Sequence, residues 1–252
     1  MMTPLPPSSS LHLLRYERLG STNDEAKRLA EAGAAEWTMV WAGEQTAGRG
    51  RGGSIFLSPP GSLYFSAILR PACPAPVAAQ LGFAAALAVG EAIAARLQPG
   101  RELSYKWPND VLVDGRKVSG ILLESSAAQD GTLAWLVAGI GVNVANHPAG
   151  TAWPATSLAA LGAAPVGLEE LLRSIVAGFR AEVVRWLGQG FRPLREAWLA
   201  RAYGLGGTVR IRLPRESFSG RFLDLDADGV LLIETAAGPR RISAGEIFPA
   251  AA

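Results

Sequence analysis

The distribution of apolar and polar positions in the first third of the chain predicts one helix and several strands. The stretch "STNDEAKRLAEAG" carries a helix start signal, with Thr22 and Glu25 as a capping box and Gly33 where a helix would end. The apolar run "WTMVWAGEQT" predicts a strand that leads directly into the loop "AGRGRGG". After this loop, "SIFLSPPGSLYFSAILR" predicts two further strands on either side of a Pro-Pro-Gly turn.

The most apolar stretch covers residues 77–97, "VAAQLGFAAALAVGEAIAARL". Gln80, Glu91 and Arg96 interrupt it, so its uncharged part is shorter than the ~18 residues that a membrane span needs. The pattern therefore predicts a helix buried in the protein core.

A β-rich block and two helices follow. The runs "LSYKW", "VLV", "VSGILLES" and "LAWLVAGIGVNV" predict strands, and Asp114-Gly115 and Asp130-Gly131 predict hairpin turns. The stretches "GLEELLRSIVAGFRAEVVRWLG" and "FRPLREAWLARA" predict amphipathic helices, with Pro193 near the first turn of the second.

From about Gly204 the pattern changes to short alternating runs separated by glycine and aspartate turns, without a helical period. Roughly 50 residues of this kind predict a small barrel-like module after a glycine linker. We place the domain boundary near Leu205, which gives a larger domain at residues 1–204 and a small one at 205–252.

Composition narrows the class of protein. Of 252 residues, 49% are hydrophobic and 18% charged, as in a globular protein with a sizeable core. The 24 basic and 22 acidic side chains nearly balance, which argues against a general nucleic-acid binder. Cys73 is the only cysteine and His12 and His147 are the only histidines, so we expect no disulfide framework and no zinc site. A reducing, cytoplasmic setting fits, and "MMTPLPPSSS" reads as a loose tail rather than a signal peptide.

The stretch "AGRGRGG" combines four glycines with Arg49 and Arg51. Gly48, Gly50 and Gly53 satisfy the dinucleotide fingerprint, but a strand follows instead of a helix, and no acidic residue stands ~20 positions later. No Gly-Lys-Ser/Thr closes the stretch, which excludes a Walker phosphate loop. Two arginines two positions apart in extended backbone point to the same side, where together they would clamp a carboxylate or phosphate. A solvated hairpin loop is the alternative.

Three further stretches place polar groups beside predicted strands. "KWPNDV" brings a lysine, an indole, a rigid turn and a carboxylate into residues 106–111, with an ordinary exposed turn as the alternative. "RKVSGILLE" sets Lys117 at the beginning of a strand, where Gly120 permits close backbone approach. "GIGVNV" holds one amide, Asn143, that either makes a structural hydrogen bond or belongs to a site.

All these stretches in this order, together with "STNDEAK", resemble the biotin–protein ligases. The resemblance covers residues 19–158 and continues more weakly to the C-terminus, and "GRGRGG" combined with "KWPNDV" is specific to that family. It implies activation of biotin with ATP to biotinyl-5′-AMP, and transfer of biotin to one lysine of a biotin carboxyl carrier protein. The implied fold is α+β: a mixed, mainly antiparallel sheet with flanking helices, as in class II aminoacyl-tRNA synthetases, plus a small C-terminal SH3-like β-barrel.

The resemblance also implies roles for the residues that match its motifs. The catalytic residues would be Lys117, Arg49, Arg51 and Asp110. Biotin would be bound by Ser21, Thr22, Asn23, Gln45, Arg49, Gly50, Arg51, Lys117 and Gly120. The nucleotide would be bound by Arg51, Trp107, Asn109, Asn143 and Trp153, and Mg²⁺ would be held by Asp110. Attack of a carboxylate on a phosphate joins two anions, so fixed cations and Mg²⁺ suit this chemistry, and a closed loop would keep water from the mixed anhydride.

Some members of the family carry an N-terminal helix-turn-helix, and about ten residues before the first predicted strand are too few for one. We therefore expect the ligase-only form, a cytoplasmic monomer or homodimer without nucleic-acid or membrane partners. A lipoate or octanoate ligase or transferase of the same superfamily is the first alternative, although those enzymes lack the "GRGRGG" loop in this form. A non-catalytic biotin sensor is the second, and it would be expected to lack Lys117 or the loop arginines.

Overall fold

The computed structural model describes residues 12–250 as two β-sheets with helices on both faces of the larger sheet. The predicted loose tail, residues 1–10, lies outside the described residues. The helices are α1 (Thr22–Glu31), α2 (Ala75–Ala78), α3 (Leu81–Ala94), α4 (Leu168–Gln189) and α5 (Arg192–Leu199). The strands are β1 (His12–Leu19), β2 (Thr38–Gln45), β3 (Leu63–Leu69), β4 (Leu103–Lys106), β5 (Asp110–Val113), β6 (Arg116–Ala127), β7 (Leu133–Val142), β8 (Thr208–Arg212), β9 (Ser217–Leu225), β10 (Leu231–Thr235), β11 (Gly238–Ile242) and β12 (Glu246–Pro249).

The larger sheet has seven strands in the order β1-β2-β3-β7-β6-β5-β4. The strands β1 and β2 are parallel because α1 crosses between them, and every other neighbouring pair is antiparallel. The turns at Asp114-Gly115 and Asp130-Gly131 join β5 to β6 and β6 to β7, with φ of 71° and 82° at the glycines. These findings confirm the mixed, mainly antiparallel sheet and both predicted hairpin turns.

The helices divide the core between the two faces of this sheet. On one face, Ala26 and Ala30 of α1 pack against Val40 and Ile68. On the other face, α3 lies between the sheet and α4, and nearly all its residues are buried. The helical stretch Ala75–Ala94 is apolar and long enough to cross a membrane by length and composition, yet 78% of its apolar window is buried inside the protein. The predicted buried helix is therefore confirmed.

The second sheet is antiparallel, in the order β11-β10-β9-β8-β12, and it packs on the helices of the first part. A Cβ at Gly229 would lie 2.8 Å from the ring of Phe83 on α3, so the two parts approach closely there. Arg195 of α5 donates to the Leu225 carbonyl at 2.7 Å. The predicted C-terminal β module is confirmed, while the boundary near Leu205 stays a prediction.

Two local predictions are wrong. Helix α1 has Ser21 as its N-terminal cap, without a side-chain capping bond. The predicted capping box does not form because Thr22 is the first residue of the helix and not its cap, and its hydroxyl donates to Gln45 at 3.1 Å. Glu25 pairs with Arg28 at 2.7 Å and accepts a bond from the Tyr16 hydroxyl at 2.9 Å. The first strand predicted after the glycine–arginine loop is also absent, since residues 54–58 make only isolated β-bridges.

Candidate active site

Three glycines where β6 and β7 pair, Gly120, Gly139 and Gly141, form the floor of the site. Gly120 of β6 stands opposite Gly141 of β7, and Gly139 lies two residues earlier on the same face. A Cβ at Gly139 would come within 2.0 Å of Asn23 Oδ1, and one at Gly141 within 2.6 Å of the Phe56 ring. The glycines therefore leave the space into which these two side chains reach.

A group of hydrogen-bonded polar residues at the beginning of α1 borders the floor. We call this group the rim; it consists of Ser21, Thr22, Asn23, Gln45, Ser58 and Ser66. Thr22 donates its N–H and its hydroxyl to Gln45 Oε1 at 2.8 and 3.1 Å, and Gln45 Nε2 donates to Ser58 Oγ at 2.8 Å. The Ser66 hydroxyl lies 2.6 Å from Asn23 Oδ1 and 2.8 Å from Thr22 Oγ1. The rim contains four predicted biotin-binding side chains, of which Ser21, Thr22 and Asn23 are buried and Gln45 is partly exposed.

The glycine–arginine loop folds over the floor as a short hairpin. The Phe56 N–H donates to the Gly48 carbonyl at 2.9 Å, and a 3₁₀ turn at Arg51–Gly53 forms the tip. At this turn Gly52 has a φ of 62°, a conformation that glycine adopts without steric cost. The Phe56 ring contacts Gly141, so an aromatic group that the sequence reasoning did not single out lies inside the site.

The two loop arginines contact different parts of the protein. Arg49 makes a two-bond ion pair with Asp24 at 2.5 and 2.6 Å, and its Nη2 lies 3.5 Å from Glu124 Oε2. Arg51 donates to the Gly245 carbonyl at 3.0 Å. The expectation that both arginines point to the same side is wrong, because the chain turns at Arg51 and is not extended there.

These contacts shift the pKa values of Asp24 and Arg51. The hydrogen bond from Arg49 lowers the pKa of Asp24 to about 2. Burial lowers the pKa of Arg51, against the charges of Glu246 and Asp110, which raise it. Arg49 is thus held in an ion pair at the edge of the site, whereas Arg51 is a more buried cation on the side of the C-terminal module.

A buried carboxylate between two lysines forms the centre of the site. Asp110 Oδ2 lies 2.8 Å from Lys106 Nζ, and Asp110 Oδ1 lies 2.6 Å from Lys117 Nζ. Burial raises the pKa of Asp110, but the charges and hydrogen bonds of the two lysines outweigh it and hold this pKa below its usual value. Lys117 is 28% exposed and lines the cavity, so its ammonium group is held by Asp110 and still open to a ligand.

The Mg²⁺ site at Asp110 stays a prediction. Both oxygens of this carboxylate are paired with lysine ammonium groups, and Mg²⁺ is usually held by one or two carboxylates together with the phosphates of a substrate. Within residues 12–250, no group of three or more His, Cys, Asp or Glu side chains is placed to hold a metal ion.

The C-terminal module also lines the site. Arg212 of β8 forms an ion pair with Glu246 of β12, and its guanidinium lies 4.6 Å from the centre of the Phe248 ring. All three residues line the same cavity as Lys117. The sequence reasoning assigned no site residue to this module, and no local motif marks these positions, because the strands that bring them together are far from the ligand-binding motifs in the chain.

The predicted nucleotide-binding residues separate into two groups. Asn109 donates to the Ile121 carbonyl at 2.5 Å, Asn143 to the Thr156 carbonyl at 2.9 Å, and the Trp153 indole to the Gly115 carbonyl at 3.0 Å. Each therefore has a structural bond, and each still lines the cavity. Trp107 does not line it: its ring is buried in the core, with the indole N–H 3.5 Å from the Gly229 carbonyl.

The floor, rim, loop and module enclose one cavity of about 350 Å³. Apart from Trp107, every predicted site residue lines it. Five cationic side chains border the cavity, against the two carboxylates of Asp110 and Glu246; the five are Arg49, Arg51, Lys106, Lys117 and Arg212. A cavity with a polar rim at one side and an excess of positive charge at the other suits an acid that is brought to a phosphate group.

This combination of a mixed sheet, a cationic cavity and a small β module defines a class of acid-activating ligases. Residues 16–143 match the biotin/lipoate A/B protein ligase family, and residues 204–248 match the biotin protein ligase C-terminal domain. The chain belongs to the biotin protein ligase family.

Individual relatives agree with this assignment. The chain is 42% identical to the biotin–[acetyl-CoA-carboxylase] ligase of Paracoccus denitrificans, over 92% of this chain and 98% of that protein. It is 35% identical to the bifunctional ligase/repressor BirA of Bacillus subtilis, over 94% of this chain and 73% of that protein. The structure of biotin protein ligase from Aquifex aeolicus in complex with biotin and ATP is similar, with a TM-score of 0.78, 30% identity and coverage of 94% and 97% of the two chains.

Proposed function

We propose that this enzyme activates biotin with ATP to form biotinyl-5′-AMP and then transfers biotin to a lysine of a biotin carboxyl carrier protein. The observation that carries the proposal is the single cavity in which a hydrogen-bonded rim meets five cationic side chains. The Aquifex protein was solved with biotin and ATP, and the Paracoccus protein is named for acetyl-CoA carboxylase, which supports both substrates and the acceptor.

The first step joins the biotin carboxylate to the α-phosphate of ATP. A new carboxylate oxygen–phosphorus bond forms, the bond between the α-phosphorus and the bridging oxygen breaks, and pyrophosphate leaves. Lys117 and Arg51 offset the repulsion between the two anions. Lys117 is fixed by its ion pair with Asp110, and a cation already in place needs no reorganisation as charge develops.

In the second step the lysine amine of the carrier attacks the acyl carbon. The amide bond forms, the bond between the acyl carbon and the AMP oxygen breaks, and the nitrogen releases one proton. The hairpin loop with Phe56 lies over the floor, and in this position it restricts the access of water to the mixed anhydride.

The remaining roles are those that the family motifs imply, and all these residues line the cavity. Ser21, Thr22 and Asn23 contact the biotin ring, Gln45 lies close to its valeryl carboxylate, and Gly120 lies beneath it. Arg49 and Gly50 belong to the loop that covers the acyl-phosphate. The nucleotide is contacted by Asn109, Asn143 and Trp153. The same side of the cavity is also lined by Arg212, Glu246 and Phe248 of the C-terminal module. Magnesium stays a prediction, and we expect it to arrive with the phosphates of ATP.

The enzyme acts in the cytoplasm as a monomer or homodimer, without nucleic-acid or membrane partners, a proposal based on its single cysteine and balanced charge.

The test is incubation of the protein with ATP, Mg²⁺ and labelled biotin, followed by addition of a carrier domain. We expect labelled biotinyl-AMP, pyrophosphate release and then label on one carrier lysine. Parallel reactions with lipoate and octanoate separate the enzymes of the superfamily. Adenylate from either of these acids but not from biotin, or biotin binding without any adenylate, would refute the proposal.

A further inference from the structure

Glu124 of β6 lies outside the cavity but contacts both the rim and the loop. Its Oε2 accepts a hydrogen bond from Asn23 Nδ2 at 2.7 Å and lies 3.5 Å from Arg49 Nη2. Its Oε1 accepts a bond from Lys27 Nζ at 2.8 Å. One carboxylate oxygen thus joins an amide of the rim to the first arginine of the loop.

Glu124 is the nearer of two acceptors that orient the Asn23 amide: Asn23 Nδ2 donates to Glu124 Oε2 at 2.7 Å and to the Leu122 carbonyl at 3.4 Å. An ionised carboxylate only accepts hydrogen bonds, so the NH₂ group of Asn23 must face Glu124 and its carbonyl oxygen must face Ser66 and the floor. Burial raises the pKa of Glu124, but the bonds from Lys27 and Asn23 hold it below its usual value, so the group is ionised at neutral pH. If the Asn23 amide were reversed, its oxygen would lie 2.7 Å from Glu124 Oε2, and the two oxygens would repel each other.

The surroundings of Asn23 leave little freedom for any other arrangement. Its side chain is 4% exposed, and the absent Cβ of Gly139 provides the space for its Oδ1. Because Asn23 lines the cavity and Glu124 does not, a change at Glu124 reaches a ligand only through Asn23 or Arg49.

We propose that Glu124 is a positioning residue for biotin: it orients the Asn23 amide in the rim and, through the same oxygen, restrains Arg49 and the hairpin loop. This inference rests on the proposed biotin site. Glu124 thereby links occupation of the rim to the position of the loop, although it touches neither substrate.

Two variants separate the contact with Asn23 from those with the two cations. Glu124→Ala removes all three contacts, whereas Glu124→Gln keeps an oxygen acceptor for Asn23 but loses the charge that attracts Arg49 and Lys27. For Glu124→Ala we expect the KM for biotin to rise about tenfold, corresponding to ~1.4 kcal/mol, with the KM for ATP within about twofold of the wild type. Glu124→Gln should restore most of the biotin KM.

Loop position is measured separately by hydrogen–deuterium exchange of peptides that cover residues 48–57, without ligand. Both variants should exchange about two- to fivefold faster there, the range given by ~0.5–1 kcal/mol for a partly exposed ion pair. The matched control is Glu25→Gln, because Glu25 also pairs with an arginine on α1 but lies outside the cavity. This control should match the wild type in both measurements.

Each result supports or overturns a defined part of the proposal. An unchanged biotin KM in Glu124→Ala overturns the orienting role, and unchanged loop exchange in both variants overturns the restraint. A rise in the KM values for biotin and ATP together, without rescue by Glu124→Gln, shows general damage and also overturns the proposal. If the wild type forms no biotinyl-AMP, the proposed function fails on its own, while the exchange data still test the contact between Glu124 and the loop.

Discussion

Replacement of Asp110 by asparagine tests whether this carboxylate acts as the counter-charge of two lysines or as a metal ligand. Its oxygens lie 2.8 and 2.6 Å from Lys106 Nζ and Lys117 Nζ, and Asp110 and Lys106 are 5% and 4% exposed. Removal of one partner from a buried ion pair costs ~3–5 kcal/mol. Because Lys117 is 28% exposed and partly solvated, we expect the lower end of that range, ~3 kcal/mol.

The assay is urea unfolding followed by tryptophan fluorescence, in buffer without Mg²⁺. With m near ~2–3 kcal/mol/M, a loss of ~3 kcal/mol lowers the urea midpoint by ~1–1.5 M. The second arm is Asp110→Asn combined with Lys106→Met, which removes one uncompensated cation and should recover part of the loss. A wild-type midpoint in Asp110→Asn, accompanied by a higher Mg²⁺ requirement for adenylate formation, would refute the ion-pair reasoning and favour a metal ligand.

The pH dependence of the same variant provides an independent check. The pKa of Asp110 is lower in the folded protein than in the unfolded chain, so its stabilisation is present above the ordinary aspartate pKa and disappears as the pH falls toward the folded value. The wild type should therefore lose more stability than Asp110→Asn on acidification below about pH 4. Asp24, whose pKa is about 2, remains in both proteins and cancels in the comparison.

Three further predictions concern the cavity. Lys117→Ala should lower the rate of adenylate formation ~10²-fold or more with the fold intact by circular dichroism, and near-normal turnover would remove Lys117 from the mechanism. Arg51→Ala, which breaks the bond to Gly245, should release biotinyl-AMP and label bystander proteins; retention of the adenylate at the wild-type level would contradict the role of the loop. A chain ending at Tyr203 should lose most ATP use and transfer when compared as soluble protein, because Arg212 and Glu246 line the cavity, and full transfer by that chain would show the module to be only structural.

Local pattern was sufficient for most elements of the fold. Strand runs, the aspartate–glycine turns and the buried α3 depend on residues close in sequence, so they could be read from the chain. The capping box failed for a tertiary reason, because the hydroxyl of Thr22 donates to Gln45 of β2 and Glu25 accepts a bond from Tyr16 of β1. Propensity at a helix end describes only the helix, and here two neighbouring strands supply other partners.

The site was predictable only where its residues belong to recognisable motifs. Lys117, Asp110 and the rim residues lie in such motifs and line the cavity, whereas Glu246 and Phe248 acquire their positions through sheet register. Glu124 ends the stretch "RKVSGILLE", but that motif gave it no role. Glu124 faces the rim because it lies four residues beyond Gly120 on the same face of β6. The shared face follows from the alternation of the strand, but the placement of Asn23 and the loop over that face is tertiary, and the sequence pattern does not specify it.

The loop shows why glycine and arginine have to occur together in this segment. A Cβ at Gly50 would lie 2.6 Å from Ser54 Oγ, and the positive φ of Gly52 turns the chain between one strand of the hairpin and the other. Arg49 lies before this turn and points toward Asp24 and Glu124, whereas Arg51 is the first residue of the turn and points toward Gly245 of the C-terminal module. Arg49 is therefore neutralised by carboxylates on one side of the cavity, whereas Arg51 keeps its charge and bonds a backbone carbonyl on the other side, so the covering hairpin is held from both sides. The charge of each arginine acts on the site only because the glycines allow the backbone to separate them.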